Sequence, residues 1–435
     1  MGNSNGSLSD YWKAFDNTPG LQGGFIWEWK DHGLRQLLPN GKERFAYGGQ
    51  FGDSPHDGNF VADGLMHADL TPHPAMREVA WVHRPVAAQL VGPKTAPSIE
   101  LKNRQTFRDI SWLSATYEIV VDGVVKRKGK LALTSLGSGK TKRIKVPSIR
   151  GLSGDIRLNI TWKTKRAEVW CDRGHVVAWD QLTVKSARPK KNQVSKKRFE
   201  TLNIEPQLSL FRASIDNDGF KLLPNLAWVE TTTLKRWQQQ GIDGDVSQLV
   251  KNQVKRVVRP DGSERFEHEI VIPKTLDDLP RIGVSFPLPE GFTEISWWGN
   301  GPHECYPDRQ SSAMMGVFSG QADELPYLVP QEYGLRTSCR WFEVSNPKTK
   351  EVIRIESDGA ELHMSALPYT TQDLYQAADQ TELVKRPYLT MNIDIAHRGL
   401  GTASCGPDVL PQCRISAGKY QFAYVISRES RGANR

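Results

Sequence analysis

Residues Leu21–Leu34 read LQGGFIWEWKDHGL. Phe25, Trp27 and Trp29 alternate there with Gly24, Ile26 and Glu28, and a polar turn follows at Lys30-Asp31-His32. A period of two gives an extended chain two distinct faces, so a short buried strand is expected. The flanking sequence indicates what kind of sheet would hold it. Ser7-Leu8-Ser9-Asp10 has the spacing of a helix N-cap with a carboxylate at N3, and Leu8, Tyr11, Trp12 and Phe15 then recur at helical spacing until Pro19-Gly20. FAYGGQFGD (45–53) and FVADGLMHAD (60–69) are further short apolar pieces broken by glycine and aspartate. LTPHPAMREVAWVHRPV (70–86) opens with proline turns and becomes helical. This is the rhythm of the end of an α/β barrel, although two or three strands cannot close one.

From about residue 86 the period changes to two. ATYEIVVDGVVKRKGKLAL (115–133) is two strand-like runs around Asp122-Gly123, a strong hairpin signal. IRLNITW (156–162) and HVVAWDQLTV (175–184) extend the pattern, which fits a small β-sandwich over 86–185. KSARPKKNQVSKKRF (185–199) reads as a solvated basic linker or edge over 186–198, because no aromatic platform for nucleic acid is interleaved with its charge. From 199 to 431 strands dominate, as in FEHEIVIPK, PRIGVSFPL, TEISWWG, EVIRIES, AELHMSAL and KYQFAYVIS. Helical insertions are expected around LAWVETTTLKRWQQQG (226–241) and TTQDLYQAADQTELVKR (370–386). The fold class is thus multidomain and mainly β.

With 435 residues the chain is long enough for several cores. Its net charge of +8 is dispersed, which permits an acidic partner without requiring one. Cys171, Cys305, Cys339, Cys405 and Cys413 form no CxxC pair, which fits a reducing compartment and argues against a zinc framework, so the location is read as cytoplasmic or unknown. No apolar run reaches membrane-spanning length, and no signal peptide is recognisable at the start.

Six carboxylates, Glu28, Asp31, Asp53, Asp57, Asp63 and Asp69, lie near aromatic residues in the first segment. Glycoside hydrolysis requires a pair of carboxyl groups at a defined separation; the plainer alternative has these residues cap turns and pair with Arg35, Arg44 and Arg77. Trp27 and Phe60 are candidates for stacking on a pyranose, or for core packing. His67 and His73 lack a third ligand at strand or helix spacing, so a metal pair is a weak reading. HECYPDR (303–309) reads as a turn, and Gly23-Gly24 and Gly48-Gly49 lack the setting of phosphate loops.

Several long stretches carry a family resemblance. GNSNGSLSDYWKAF, LQGGFIWEWKDHGL, AYGGQFGDSPHDGNFVADGLMHADLTPHP, WWGNGPHECYPDR, AELHMSALPYT and MNIDIAHRGLG occur in collinear order over nearly the whole chain. Together they resemble the C-terminal part of a large bacterial β-galactosidase of glycoside hydrolase family 2. The resemblance implies that 1–85 is the C-terminal piece of a (β/α)8 barrel, 86–185 an immunoglobulin-like sandwich and 199–431 a large sandwich of the galactose mutarotase-like type. It implies a retaining hydrolase acting on terminal β-D-galactosides, with Mg2+ and Na+ as ions and a homo-oligomer as one arrangement.

The family nucleophile lies in a Glu-Tyr-x-His-x-Met-Gly-Asn-Ser stretch, and this chain starts at Met1-Gly2-Asn3-Ser4. The expectation is therefore a fragment that is inactive alone, lacking both catalytic glutamates and the Mg2+ site. A rival reading makes it a non-catalytic small subunit, or a carbohydrate-binding β-sandwich protein, that completes an enzyme in trans. By resemblance Trp27 packs beside the sugar, the Phe60 carbonyl helps hold Na+, and Asp63 stands where the family has a sodium-binding, sugar-touching asparagine. Thr390, preceded by Tyr388, occupies an aglycone-side position where the family often has tryptophan. Without the missing barrel strands, only the two β domains are expected to fold.

Overall fold

A computed structural model of the chain describes residues 2–93, 95–132, 135–187, 193–223 and 232–430. Residues 188–192 of the basic stretch and 224–231 of the first helical insertion lie outside the described residues, as do Met1 and Leu133. The chain is mainly β, with several antiparallel sheets and, among the described residues, no closed barrel. It divides into two compact units, one from 77–188 with 311–317 and the other from 1–76, 189–310 and 318–435. No helix among the described residues is long and apolar enough to cross a membrane.

The smaller unit is built on the hairpin expected at Asp122-Gly123. Leu113–Val121 and Val124–Leu131 pair antiparallel, with Val121 opposite Val124. Asp122 and Gly123 have φ of 48° and 80°. Two consecutive positive φ values are what a tight hairpin turn demands, and Asp-Gly accepts them at little steric cost. Ile156–Thr164 and Val176–Lys185 complete a four-stranded sheet, while Val86–Val91, Ser98–Asn103 and Thr141–Lys145 form a three-stranded one. Alternation decides what is buried: Ile156, Leu158, Ile160 and Trp162 point inward from one strand.

In the larger unit a five-stranded sheet runs in the order Gln207–Ser209, Arg281–Pro287, Thr390–His397, Leu362–Leu367, Arg336–Cys339. A seven-stranded sheet runs Lys251–Val258, Glu264–Ile272, Gly418–Ser430, Glu351–Ser357, Trp341–Ser345, Glu294–Gly301, Met314–Gln321, the last strand entering the larger unit at Phe318. One continuous core draws on both, including Ile270, Val284, Trp297, Phe342, Ile353 and Ile393. The cross-strand pairs Phe266–Tyr424 and His268–Phe422 stack, with centroids 5.4 and 4.8 Å apart. Burial pushes the pKa of His268 down to about 4, so it packs as a neutral ring. Thr370 and Asp373 form a capping box on the helix Thr371–Gln376, and the first insertion forms the helix Thr233–Gln239.

Residues 2–76 hold one antiparallel pair, Leu34–Leu37 with Glu43–Ala46, and lack the strand expected over 21–34. The helix Leu8–Asn17 forms, but Ser7 sits at φ 57° and its side chain makes no cap bond, because its backbone N–H is drawn to the Asp308 carbonyl at 2.7 Å. Residues 21–33 form no strand, and Phe25, Trp27 and Trp29 are exposed. Residues 28–32 have one backbone partner, the 61–66 segment, through a parallel bridge at Lys30 and Met66 and the bond Leu65 N–H to Glu28 O of 2.9 Å. A parallel strand is buried by neighbours on both edges and both faces, and this stretch has a partner on one side. Its segment nonetheless belongs to the same compact unit as the large sandwich.

Arg281 and Asp394 offer a test of the large core. Both are almost fully buried and joined by bidentate bonds of 2.7 Å. Asp394→Ala leaves a buried guanidinium unpaired and is expected to lower stability by about 3–5 kcal/mol in urea unfolding. A loss below about 1 kcal/mol would show that the pair is dispensable.

Candidate functional site

A cleft of about 370 Å³ opens in the larger unit, between the N-terminal segment and the sandwich loops around Asn217 and Ser404. Its lining brings together Trp27 and Asp63, with Tyr11, Trp12, Phe15 and Phe25 as further aromatic wall. Trp27 is 78% exposed, so its indole is a free apolar surface rather than core. Asp63 is buried at 5% exposure, and its Oδ1 has no hydrogen-bond partner. Among the described lining residues it is the one carboxylate.

Chain geometry explains how Asp63 is placed. The Asp63 carbonyl accepts from Glu28 N–H at 3.0 Å, and Asp31 Oδ1 accepts from Gly64 N–H at 2.7 Å. A Cβ on Gly64 would lie 2.2 Å from the Asp31 nitrogen, so only glycine allows segments 28–32 and 61–66 to approach this closely. Burial, reinforced by the negative charges of Asp216, Glu28 and Asp31, pushes the Asp63 pKa up to about 6. Asp216 is itself buried and raised by desolvation, although Asn59 donates to it at 3.0 Å. The Lys221 charge answers part of this negative charge at Asp216.

The remaining candidate residues are distributed differently. Phe60 is half-buried and meets Phe220 edge to face at 5.6 Å, and it is not among the cleft's lining residues. Tyr388 and Thr390 line a separate cavity of about 680 Å³, together with Phe211, Ser285 and Thr370. The carboxylates split between roles. Asp53 and Asp69 cap turns at Gly49 and Thr71 as the plainer alternative expected, whereas Glu28 pairs with His32 at 3.0 Å. Two of the expected arginines pair with carboxylates outside the six. Arg35 faces Glu43, Arg44 reaches Asp379, and the Arg77 guanidinium lies over the Trp179 ring.

HECYPDR contains a tight turn, with a bridge between Tyr306 and Arg309, and it is also a buried network. Arg309 donates to Glu304 at 2.7 Å and to the Ser4 carbonyl at 2.8 Å. His67 and His73, which no local spacing joins to a third ligand, converge on Asp31. The signal was invisible because the third group lies far away in sequence, across the contact made possible by Gly64.

Known proteins resemble the chain along its whole length. The model described as "Beta galactosidase small chain" matches residues 180–426, that of "Glycosyl hydrolases family 2, TIM barrel domain" 1–88, and that of "Beta-galactosidase, domain 4" 99–185. A β-galactosidase of Arthrobacter sp. (strain B7) is 29% identical, covering 94% of this chain and 47% of the relative. One of Photobacterium profundum is 28% identical, covering 98% and 48%. The chain thus spans about half the length of the curated relatives it matches. Among solved structures, the exo-chitosanase CsxA of Amycolatopsis orientalis is 15% identical over 66% of this chain and 28% of that one, at a TM-score of 0.21.

The raised pKa of Asp63 has a checkable sign. A carboxyl whose folded pKa exceeds its unfolded value favours folding while protonated, and that contribution is lost as pH rises from about 4 through about 6. Asp63→Asn removes the ionisable proton. It is expected to stabilise the chain at pH 8 by on the order of 1 kcal/mol relative to its effect at pH 4, measured as the shift in thermal unfolding at each pH. An equal shift at both values would remove ionisation of Asp63 as the cause.

Proposed function

Since the chain belongs to the β-galactosidase small-chain family and its glycoside hydrolase family 2 relatives, we propose that its cleft is one wall of a β-galactoside site in a retaining glycoside hydrolase. Trp27 supplies a flat apolar surface for the less polar face of the sugar ring, and Asp63 Oδ1 supplies an acceptor for a hydroxyl. The observation that carries this division of labour is the single carboxylate on the described lining. Retaining hydrolysis needs two carboxyl groups about 5–5.5 Å apart. In this proposal the nucleophile and the acid/base come from polypeptide outside these residues, as does the Mg2+ site.

Sodium fits the residues present. Asp63 Oδ1 is a buried, unpartnered oxygen in a region of excess negative charge, a suitable donor for a hard monovalent cation. Asp63 and the backbone of Phe60 would hold the ion, which would supply charge neutralisation beside a sugar hydroxyl. Asp63 then orients that hydroxyl while Trp27 excludes water from the ring face. Tyr388 and Thr390 lie on a different cavity, which places them in the proposal as an outer wall, not as contacts of the galactose ring.

A second reading rests on the small-chain match over 180–426: the chain is the smaller partner of a two-chain enzyme. Both readings are tested by mixing. The purified 435-residue chain is expected to bind galactose without hydrolysing a nitrophenyl β-galactoside. Trp27→Ala should weaken binding about tenfold, the scale of losing one well-placed aromatic contact. Turnover by the chain alone would overturn the assignment of the carboxylates elsewhere. Activity that appears when a separately made barrel-bearing chain is added would select the two-chain reading.

A further inference from the structure

Asp31, His67 and His73 come from three short segments and meet in one place. Their ligand atoms lie within 4.8 Å of one another. His73 Nε2 is 2.9 Å from Asp31 Oδ2, and His67 Nδ1 is 3.9 Å from the same oxygen. The two imidazoles lie face against face at a tilt, with centroids 3.9 Å apart. We propose that these three side chains bind one divalent transition-metal ion of the zinc class.

The hydrogen bonds define what must fill the space between them. His73 Nδ1 is 3.1 Å from the Pro326 carbonyl, which can only accept, so Nδ1 carries hydrogen. In the neutral ring, Nε2 is then a bare lone pair, and it faces a carboxylate oxygen that is also an acceptor. Two acceptors at 2.9 Å need a cation between them, either a proton or a metal ion. A proton would satisfy His73 and Asp31 alone, whereas a metal ion would also engage the second imidazole, which approaches the same oxygen at 3.9 Å.

Other features fit the metal. A ring nitrogen donating to a backbone carbonyl is the usual outer support of a metal-bound histidine, fixing both tautomer and orientation. Asp31 is held likewise, since its Oδ1 accepts from Gly64 N–H while Oδ2 faces the imidazoles. Tetrahedral bonds of about 2.0–2.1 Å require ligand atoms roughly 3.4 Å apart, and the distances of 2.9 and 3.9 Å bracket that spacing. Two imidazoles with one carboxylate favour zinc, cobalt or nickel over calcium or magnesium. Three protein ligands also leave a fourth position for water. The His67 side chain, 15% exposed, is the solvent-facing member of the group.

The test uses the full chain, stripped with a chelator and titrated with Co2+ while visible absorption is followed. The expected result is saturation near one equivalent, with bands of four- or five-coordinate cobalt that Zn2+ abolishes. Asp31 and His73 are buried, and their replacement risks the fold, so the informative variant is His67→Phe. It keeps an aromatic ring against His73 and leaves the Asp31–His73 pair intact. Its circular dichroism and metal-free unfolding temperature should match the parent, while cobalt binding weakens at least about tenfold. Zinc should raise the unfolding temperature of the parent and not of the variant. Absence of saturable cobalt binding, or equal binding by His67→Phe, would overturn the site. Galactose binding plays no part in these readouts.

Discussion

Arg309 is the constraint on which the site region depends. Its guanidinium is 1% exposed, and a buried charge of this kind is tolerable only when opposed by another charge and well hydrogen-bonded. Glu304 supplies the charge, and it also accepts from the Tyr327 hydroxyl and from Gly334 N–H. The other end of Arg309 is capped by the Ser4 carbonyl. Next to it, Asp308 accepts from the backbone of Leu400 and Gly401, and its own carbonyl takes the Ser7 N–H. The N-terminal loop thus supplies acceptors and donors that this network requires. This is why a segment with few strands of its own nevertheless packs in the same compact unit as the sandwich.

The same economy explains which parts of the molecule were readable in sequence. Elements specified by local rules were legible: the Asp122-Gly123 turn, the alternating strand from Glu264 to Ile272, the apolar strand from Gly418 to Ser430, and the helix at Thr371. Elements whose state depends on distant partners were not. Ser7 has the chemistry of an N-cap, but tertiary bonding to Asp308 takes its backbone into the left-handed region. LQGGFIWEWKDHGL has the alternation of a strand, but a ladder needs neighbours, and among the described residues only 61–66 provides one. The arginines near the acidic cluster chose partners such as Asp379, hundreds of residues away. Family resemblance placed Trp27 and Asp63, which do share one cleft, and the convergence of Asp31, His67 and His73 could be found only in three dimensions.

Charge is the second organising feature. Burial and the negative charges of Asp216, Glu28 and Asp31 raise the cost of ionising Asp63, while Asn59 and Lys221 answer part of the charge on Asp216. A fold keeps such crowding when a ligand offsets it, because structural interactions alone are better served by neutral side chains. The proposed sodium position at Asp63 and the proposed transition-metal position at Asp31 are two answers to the same excess. They differ in chemistry. Asp63 offers oxygen alone, suited to a hard cation, whereas Asp31 stands beside two imidazoles, suited to a softer one.

Both positions rest on a single piece of backbone. Glu28 N–H binds the Asp63 carbonyl, Asp31 N–H binds the Met66 carbonyl, and Gly64 N–H binds the Asp31 carboxylate. The 28–32 and 61–66 segments are therefore tied together by backbone hydrogen bonds, with Trp27 at one end and His67 at the other. A metal holding Asp31 to His67 would stiffen this unit by linking its two segments through side chains as well as backbone. Trp27, which has little packing of its own at 78% exposure, would then hold its indole at a more constant angle to the cleft. Coupling of this kind requires no change of shape. It follows from lost freedom in a shared element, so that a ligand ordering one end lowers the entropic cost of ordering the other.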